Sequence, residues 1–515
     1  MKHLTRALLG LSATICFALP LAAQPPVTAS VEVDAGSPGP VIERAIYGQF
    51  AEHLGRGIYE GVWVGENSKI PNTGGYRNDV LAALRKLRVP VIRWPGGCFA
   101  DEYDWRDGIG PRSKRPVRIN THWGGVTDDN AFGTHEFMNF AELVGADPYV
   151  AGNIGSGSPR DMAQWVEYMT SGSGSTLADE RRSNGRDRPW KLAYFGVGNE
   201  TWGCGGNMTA EYAADLHKRY ATFVVSPWDG ARIKKVASGA NGDDYHWTEV
   251  LMRDAAREMD ALSLHYYTLP GSWEHKGPAT GFGEDQWIST LDHARRMEEL
   301  VSRHSAIMDK YDPKKRIALF VDEWGTWYDQ ESGSHPGFLY QQNSLRDAEV
   351  AALTLNIFHR HTDRVKLAAI AQMVNVLQAM ILTEGPRMLL TPTYHVFEMY
   401  VPFQGAIPLK ASAQAPAYTF GGTSLPSVDI SAARGTDGKI WVSLVNLDPK
   451  RPAHVTTNLA GGAASGRILT GATMDAHNTF DQPDAIHPVP YSGRSEHGKL
   501  VFDLPAKAIA VVRID

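Results

Sequence analysis

The chain has 515 residues and a mass of 56.5 kDa, enough for one large domain and a smaller one. A hydrophobic content of 43% with 21% charged residues is that of a globular protein. The net charge of −6 gives no basic footprint for nucleic acid.

Lys2, His3 and Arg6 precede an apolar stretch from Ala7 to Leu21, then Ala22-Ala23-Gln24-Pro25-Pro26. That order of charged, apolar and small residues predicts a signal peptide over 1–23, cut after Ala23, and so a periplasmic or secreted protein. Cys16 lacks the small preceding residue of a lipoprotein signal. No later stretch approaches 18 uncharged apolar residues, so no membrane span is expected. Removing the leader leaves Cys98 and Cys204, which have no zinc-type spacing. In an oxidising compartment they can pair, but spacing cannot fix this, and free buried thiols are the expected state.

Val27, Ala29, Val31 and Val33 alternate with polar residues, which predicts a half-buried strand within 24–44 that joins the C-terminal sheet. Eight strand-like runs follow: Ala45–Phe50, Val91–Trp94, Pro148–Ala151, Leu192–Gly198, Val236–Gly239, Ala261–Tyr266, Ile317–Val321 and Leu367–Met373. Between them Asp79–Leu87, Thr209–Val224 and Ser344–His359 carry helical spacing, whereas Ser171–Arg188 reads as a loop. Eight strand–helix repeats predict a (β/α)8 TIM barrel over 45–387. An open doubly wound sheet is disfavoured, because Gly155-Ser-Gly157-Ser-Pro-Arg160 lacks the last glycine of the phosphate-binding fingerprint. Past 388 the helical period fades and short strands recur, which predicts an all-β, jelly-roll-like sandwich over 388–515.

Two of the barrel runs stop at a carboxylate. Leu192–Gly198 runs into Asn199-Glu200-Thr201-Trp202, and Ile317–Val321 into Asp322-Glu323-Trp324. The C-terminal ends of barrel strands converge on one rim, where active sites sit. A lone strand-end glutamate is as readily a helix cap or a surface ion pair. Two of them, each beside a tryptophan able to stack on sugar, match the paired carboxylates of glycosidic bond cleavage. Glu52 and His53, Arg93-Trp94-Pro95-Gly96-Gly97-Cys98, Asn153, His265-Tyr266-Tyr267, Gln372 and Trp123 complete a polar cup for a neutral polyhydroxylated ligand.

The strings GQFAEHLGRGIYEGVW, RWPGGCFADEYDWRDGIGP, GVGNETWGCGG, SLHYY, VDEW and AQMVNV resemble, in order from about residue 46 to 400, the α-L-arabinofuranosidases of glycoside hydrolase family 51. The resemblance implies retaining chemistry, no metal and no cofactor, an arabinofuranose-containing polysaccharide or oligosaccharide as partner, and a homo-oligomer. It implies Glu200 as acid/base and Glu323 as nucleophile. It also implies Asn199 on the sugar 2-hydroxyl, Glu52 and Gln372 on other hydroxyls, and Trp123 lining the pocket. Tyr267 matches the tyrosine beside the nucleophile, with Tyr266 as the alternative. Cys98 is a departure, since many members carry Asn there, and a thiol bonds a hydroxyl only weakly. The rival readings are a retaining endo-glucanase or xylanase on the same barrel and a non-catalytic carbohydrate-binding protein.

Overall fold

In the computed structural model, which describes residues 25–226 and 232–515, the first element is strand β1 (Val27–Pro38). Its valines and alanine at 27–33 are buried and the residues between them exposed, as one covered sheet face requires. The expected leader lies outside the described residues.

Eight parallel strands then close a barrel in chain order: β2 (Gly48–Phe50), β3 (Val91–Trp94), β4 (Asp147–Gly152), β5 (Tyr194–Val197), β6 (Lys234–Asn241), β7 (Ala261–Thr268), β8 (Ala318–Thr326) and β9 (Val365–Ile370). All eight predicted runs fall on them, and the β3 run coincides. The first is shorter than its apolar run, because Arg44–Tyr47 winds into a 3-10 turn. Val91, Tyr149, Val236, Ala261, Phe320 and Leu367 fill the barrel's lower interior as one apolar layer. That layer is a plug, so the polar chemistry is confined to the opposite, C-terminal mouth.

Helices α1 (Asn78–Lys86), α2 (Thr134–Val144), α3 (Pro159–Thr170), α4 (Thr176–Ser183), α5 (Ala210–Ala221), α6 (Tyr245–Asp254), α7 (Glu284–Tyr311), α8 (Leu345–Arg360) and α9 (Pro392–Tyr400) follow in chain order. Helix α4 corrects the expected loop over Ser171–Arg188. It is short and strongly charged, with little apolar period, and Ser175 caps it by accepting from the Ala178 N–H. Helix α9 corrects the expectation of β structure alone past 388. Thr391 caps it and Pro392 opens it. No helix among the described residues is long and apolar enough to cross a membrane.

The second sheet has ten strands: β1 with β10 (Ile407–Gln414), β11 (Val428–Arg434), β12 (Ile440–Asn446), β13 (Ala453–Ala460), β14 (Ala464–Leu469), β15 (Val489–Ser492), β16 (Arg494–Glu496), β17 (Lys499–Leu504) and β18 (Ala508–Ile514). They run in the order β15-β14-β18-β12-β11-β10-β1-β13-β17-β16. The sheet curls over its own core of Val31, Ile430, Leu444, Val455 and Phe502, giving the β-sandwich. The strand Ala417–Phe420 lies apart from it, in a hairpin with Thr423–Pro426. Helix α8 is buried on nearly every face between barrel and sandwich. Its Asn356 and His359 bond Asp429 and Ser431 of β11, which ties the two bodies together.

Candidate active site

Arg93 of β3 stands on the apolar plug, its guanidinium over the Phe50 and Tyr149 rings at 4.5 and 5.8 Å. It is a buried cation and collects acceptors: Glu323 Oε1 at 2.7 Å, the Asn199 amide oxygen and, at 3.7 Å, Asp322. Asp322 also accepts from the Tyr149 hydroxyl at 2.7 Å and lies 3.2 Å from His265 Nε2. Burial would raise the Asp322 carboxyl, but Arg93 and His265 hold it below its ordinary range.

Adjacent strand residues normally point to opposite faces, yet Asp322 and Glu323 both face the barrel interior. The reason is an irregularity in the ladder between β7 and β8. Ser263 pairs with Phe320, but His265 pairs with Glu323, so β8 carries one extra residue there. The bulge turns Asp322 and Glu323 to the same side, a common use of bulges beside active sites.

Glu323 then receives the Tyr267 hydroxyl on its second oxygen at 2.9 Å. Tyr266 points outward and bonds the His293 carbonyl, so of the two tyrosines Tyr267 is the one at the pocket. His265, on the same strand face, donates from Nδ1 to Glu200 Oε1 at 2.8 Å and lies 3.6 Å from Glu323. Burial opposes charge on this imidazole, but Glu323, Asp322 and Glu200 overcome it and push its pKa up to about 10. The imidazolium therefore sits between both glutamates.

Glu200 is three residues beyond the end of β5, in a turn that begins at Gly198 (φ +87°), and it holds φ +41° itself. A left-handed conformation in a residue other than glycine costs about 1–3 kcal/mol and collects at functional sites. Burial and the facing Glu323 charge push its carboxyl up, against His265. Glu200, His265 and Glu323 each bring one ligating atom within 4.8 Å of the others.

The sugar-binding candidates converge on the same mouth. Glu52 Oε1 accepts from the Trp123 indole at 2.8 Å and from the Phe99 N–H at 3.1 Å, while Oε2 accepts from the Gln372 amide at 3.1 Å. Burial, then the Glu323 charge, lift Glu52 to about 7. The Asn199 Nδ2 and Gln372 Oε1 atoms are buried with no partner among the described residues. The Gly96-Gly97 pair is what lets the carboxylates approach. A Cβ on Gly96 would stand 2.7 Å from Glu52 Cγ, and one on Gly97 2.9 Å from Glu323 Oε1.

Two expectations change here. Cys98 is not a free thiol but is joined to Cys204 by a disulfide. The turn after Glu200 folds back through Gly203 and Gly205, whose N–H groups reach the Glu200 carbonyl, and this brings Cys204 over the end of β3. Trp324 is no sugar platform either. It is 1% exposed and faces Phe358 and Phe397 behind the barrel wall. Trp202 donates to the Gly239 carbonyl.

Sequence reasoning missed Trp327, which leads an aromatic chain out of the pocket. Its ring meets Tyr267 edge-on at 5.0 Å and the half-exposed Trp273 at 5.3 Å. It also gave no roles to Arg93, Asp322 or His265. An arginine inside an apolar strand run was the signal available for Arg93.

Comparisons with known proteins place the chain in a family and agree with its fold. Residues 322–508 match the α-L-arabinofuranosidase C-terminal domain, and residues 83–276 the α-L-arabinofuranosidase 1 domain. The chain is 50% identical to an intracellular exo-α-L-arabinofuranosidase of Bacteroides ovatus, over 98% of this chain and 99% of that protein. It is 55% identical to the family 51 arabinofuranosidase of Xanthomonas axonopodis pv. citri, with a TM-score of 0.94 over 95% of this chain and 100% of that one. The arabinose complex of a Thermotoga maritima α-L-arabinofuranosidase gives 28% identity and a TM-score of 0.83, over 94% and 99% of the two chains. The Bacteroides relative corrects the expectation of a periplasmic or secreted protein. It is intracellular, and the two chains correspond over almost their whole lengths.

Proposed function

The chain belongs to the α-L-arabinofuranosidases of glycoside hydrolase family 51, and we propose that its mouth runs a double displacement with Glu323 as nucleophile and Glu200 as acid/base. The enzyme is an exo-acting glycoside hydrolase that releases terminal arabinofuranose. Arabinoxylan, arabinan and their oligosaccharides are the proposed sources, and a homo-oligomer the proposed assembly, to be read by light scattering.

One observation carries the mechanism: Glu200 and Glu323 oxygens approach within 4.8 Å. Retaining enzymes hold their carboxyl groups about 5–5.5 Å apart, whereas inverting ones leave about 6.5–9.5 Å for a water. Glu323, aligned by Arg93 and Tyr267, attacks the anomeric carbon as Glu200 gives its proton to the departing oxygen. The covalent arabinosyl ester removes the Glu323 charge that lifts Glu200. The Glu200 carboxylate then takes a proton from the water that releases the sugar. Asn199 Nδ2 is proposed to meet the 2-hydroxyl. Glu52, Gln372 and Trp123 are proposed to hold the rest of the ring, with Glu52 near its titration point and able to donate or accept.

The test is Glu200→Ala. Hydrolysis of arabino-oligosaccharides is expected to fall by about 10²–10⁴-fold. Ester formation from a dinitrophenyl arabinofuranoside, whose leaving group needs no proton, is expected to survive. Azide should then restore turnover and yield the azide of retained configuration. Equal losses on both substrates with no azide rescue would remove Glu200 from the role.

A further inference from the structure

The disulfide lies against the carboxyl proposed to carry the catalytic proton. Cys98 Sγ is 3.9 Å and Cys204 Sγ 3.5 Å from Glu200 Oε2. Bonded to each other the sulfurs carry no proton, so neither contact is a hydrogen bond. His265 holds the opposite oxygen, Oε1, at 2.8 Å and so fixes Oε2 toward the sulfurs. Cys98, Glu200 and Cys204 are only partly buried, and their ligating atoms all lie within 4.8 Å of one another.

We propose that reduction of the Cys98–Cys204 bond opens a site for a thiophilic divalent cation such as Zn²⁺, held by both thiolates and Glu200 Oε2, and that this cation switches the enzyme off. A tetrahedral zinc with bonds of about 2.3 Å to sulfur and about 2.1 Å to oxygen has S···O edges of about 3.6 Å. The two edges present, 3.9 and 3.5 Å, already fit. Only the S···S edge must widen, to about 3.8 Å, and cleavage of the bond frees it to do so. His265 on Oε1 is the kind of outer partner that orients a ligating carboxylate. The fourth position stays open to the pocket.

The chemistry balances. A trialkylphosphine and one water reduce the disulfide to two thiols and leave as the phosphine oxide. The cation then displaces both thiol protons and the Glu200 carboxyl proton, all three of which pass to solvent, and binds Glu200 as the carboxylate. In that state Glu200 has no proton to give and no free lone pair facing the substrate. Cation binding stands on the three side chains alone, while the loss of turnover rests on Glu200 as acid/base. The second cluster, Glu200, His265 and Glu323, is a weaker competitor for a cation, because His265 already spends both ring nitrogens on carboxylates and Arg93 adds positive charge.

The experiment compares oxidised protein, phosphine-reduced protein and reduced Cys98→Ser/Cys204→Ser protein. Co²⁺ reports thiolate ligation by its near-ultraviolet charge-transfer band, and Zn²⁺ is titrated against hydrolysis of an aryl arabinofuranoside. Expected are one Co²⁺ per reduced chain, a band in the reduced native protein alone, and Zn²⁺ inhibition at more than about tenfold lower concentration than in the other two. Reoxidation should reverse both. A reduced protein without the band, or equal Zn²⁺ inhibition of all three, overturns the proposal and moves the ion to His265 and Glu323. A band with turnover intact upholds the cation site and overturns Glu200 as the acid/base. If the double serine protein does not fold, Glu200→Gln supplies the test. It keeps both cysteines, and its reduced form should bind Co²⁺ more weakly while retaining the band.

Discussion

The two sides of the barrel mouth hold their glutamates in opposite ways. Glu323 stands within a strand, at a bulge, with a guanidinium on one oxygen and a phenol on the other. Glu200 stands on a left-handed turn beyond a strand, with an imidazole on one oxygen and two proton-free sulfurs beside the other. A group proposed to attack as an anion is surrounded by donors. A group proposed to carry a proton is partly buried, faces a like charge and is left with one oxygen to which no group among the described residues donates. The difference lies in the environment, since the two side chains are identical.

Removing one side altogether gives the largest effect. Glu323→Ala is expected to lower turnover of every arabinoside by more than about 10³-fold, with the fold intact by circular dichroism. Residual activity above that on any substrate would take the nucleophile role away.

Taking the scaffold from under Glu323 comes next. Arg93→Met leaves Asp322 and Glu323 buried beside each other with the His265 imidazolium as their one remaining cation among the described residues, a loss of about 3–5 kcal/mol. Chemical denaturation should show that loss, while the equivalent change at the exposed Arg253–Asp254 pair on α6 should scarcely register.

His265 bridges the two sides, so His265→Gln sharpens the contrast. The imidazolium lowers the Glu200 pKa, so its removal should move the alkaline limb of kcat/KM to higher pH. The stability effect has a definite sign as well. A histidine raised from 6.5 to about 10 stabilises the fold fully below pH 6.5, and that stability fades as pH rises to about 10. Denaturation of the native protein between pH 6 and pH 10 should therefore show a decline of up to about 5 kcal/mol that the variant lacks. Parallel curves for the two proteins would mean a neutral imidazole.

The smallest effect lies furthest from both carboxyls. Trp273→Ala removes the outer ring of the Tyr267–Trp327–Trp273 chain and is expected to raise KM for polymeric substrate by about two- to tenfold. Small aryl arabinofuranosides should be unaffected, because they end before reaching it.

The strands were readable because their signal is local. Val91–Trp94 and Ile440–Asn446 are apolar runs bounded by turn residues, and both are strands with those limits. Where packing supplies little of the apolar face, as in α4, periodicity had nothing to report. Helix α9 carried a readable start in Thr391-Pro392, but its apolar residues are buried on several sides and hide the period. Both glutamates were visible as carboxylates ending apolar runs. Arg93 and His265 stood in two other strings of the same ordered set, yet nothing in those strings named the acceptors they meet.

The sequence by itself determined the eight-strand barrel, the β-rich C-terminal part, the family and the rim on which two glutamates meet. Each follows from patterns read within a dozen residues, or from strings kept in order along the chain. Only the tertiary structure decided that Asp322 and Glu323 share a face, that Tyr267 and not Tyr266 reaches the pocket, and that Cys98 is bonded to Cys204 beside Glu200. The partners concerned lie 27 to 106 residues apart. Register shifts and turn backbone angles bring them together, and a single residue of slip reverses which face a side chain takes. The same distance separates a glutamate's identity from its chemistry, because its proton affinity is set by burial and by charges that other strands deliver.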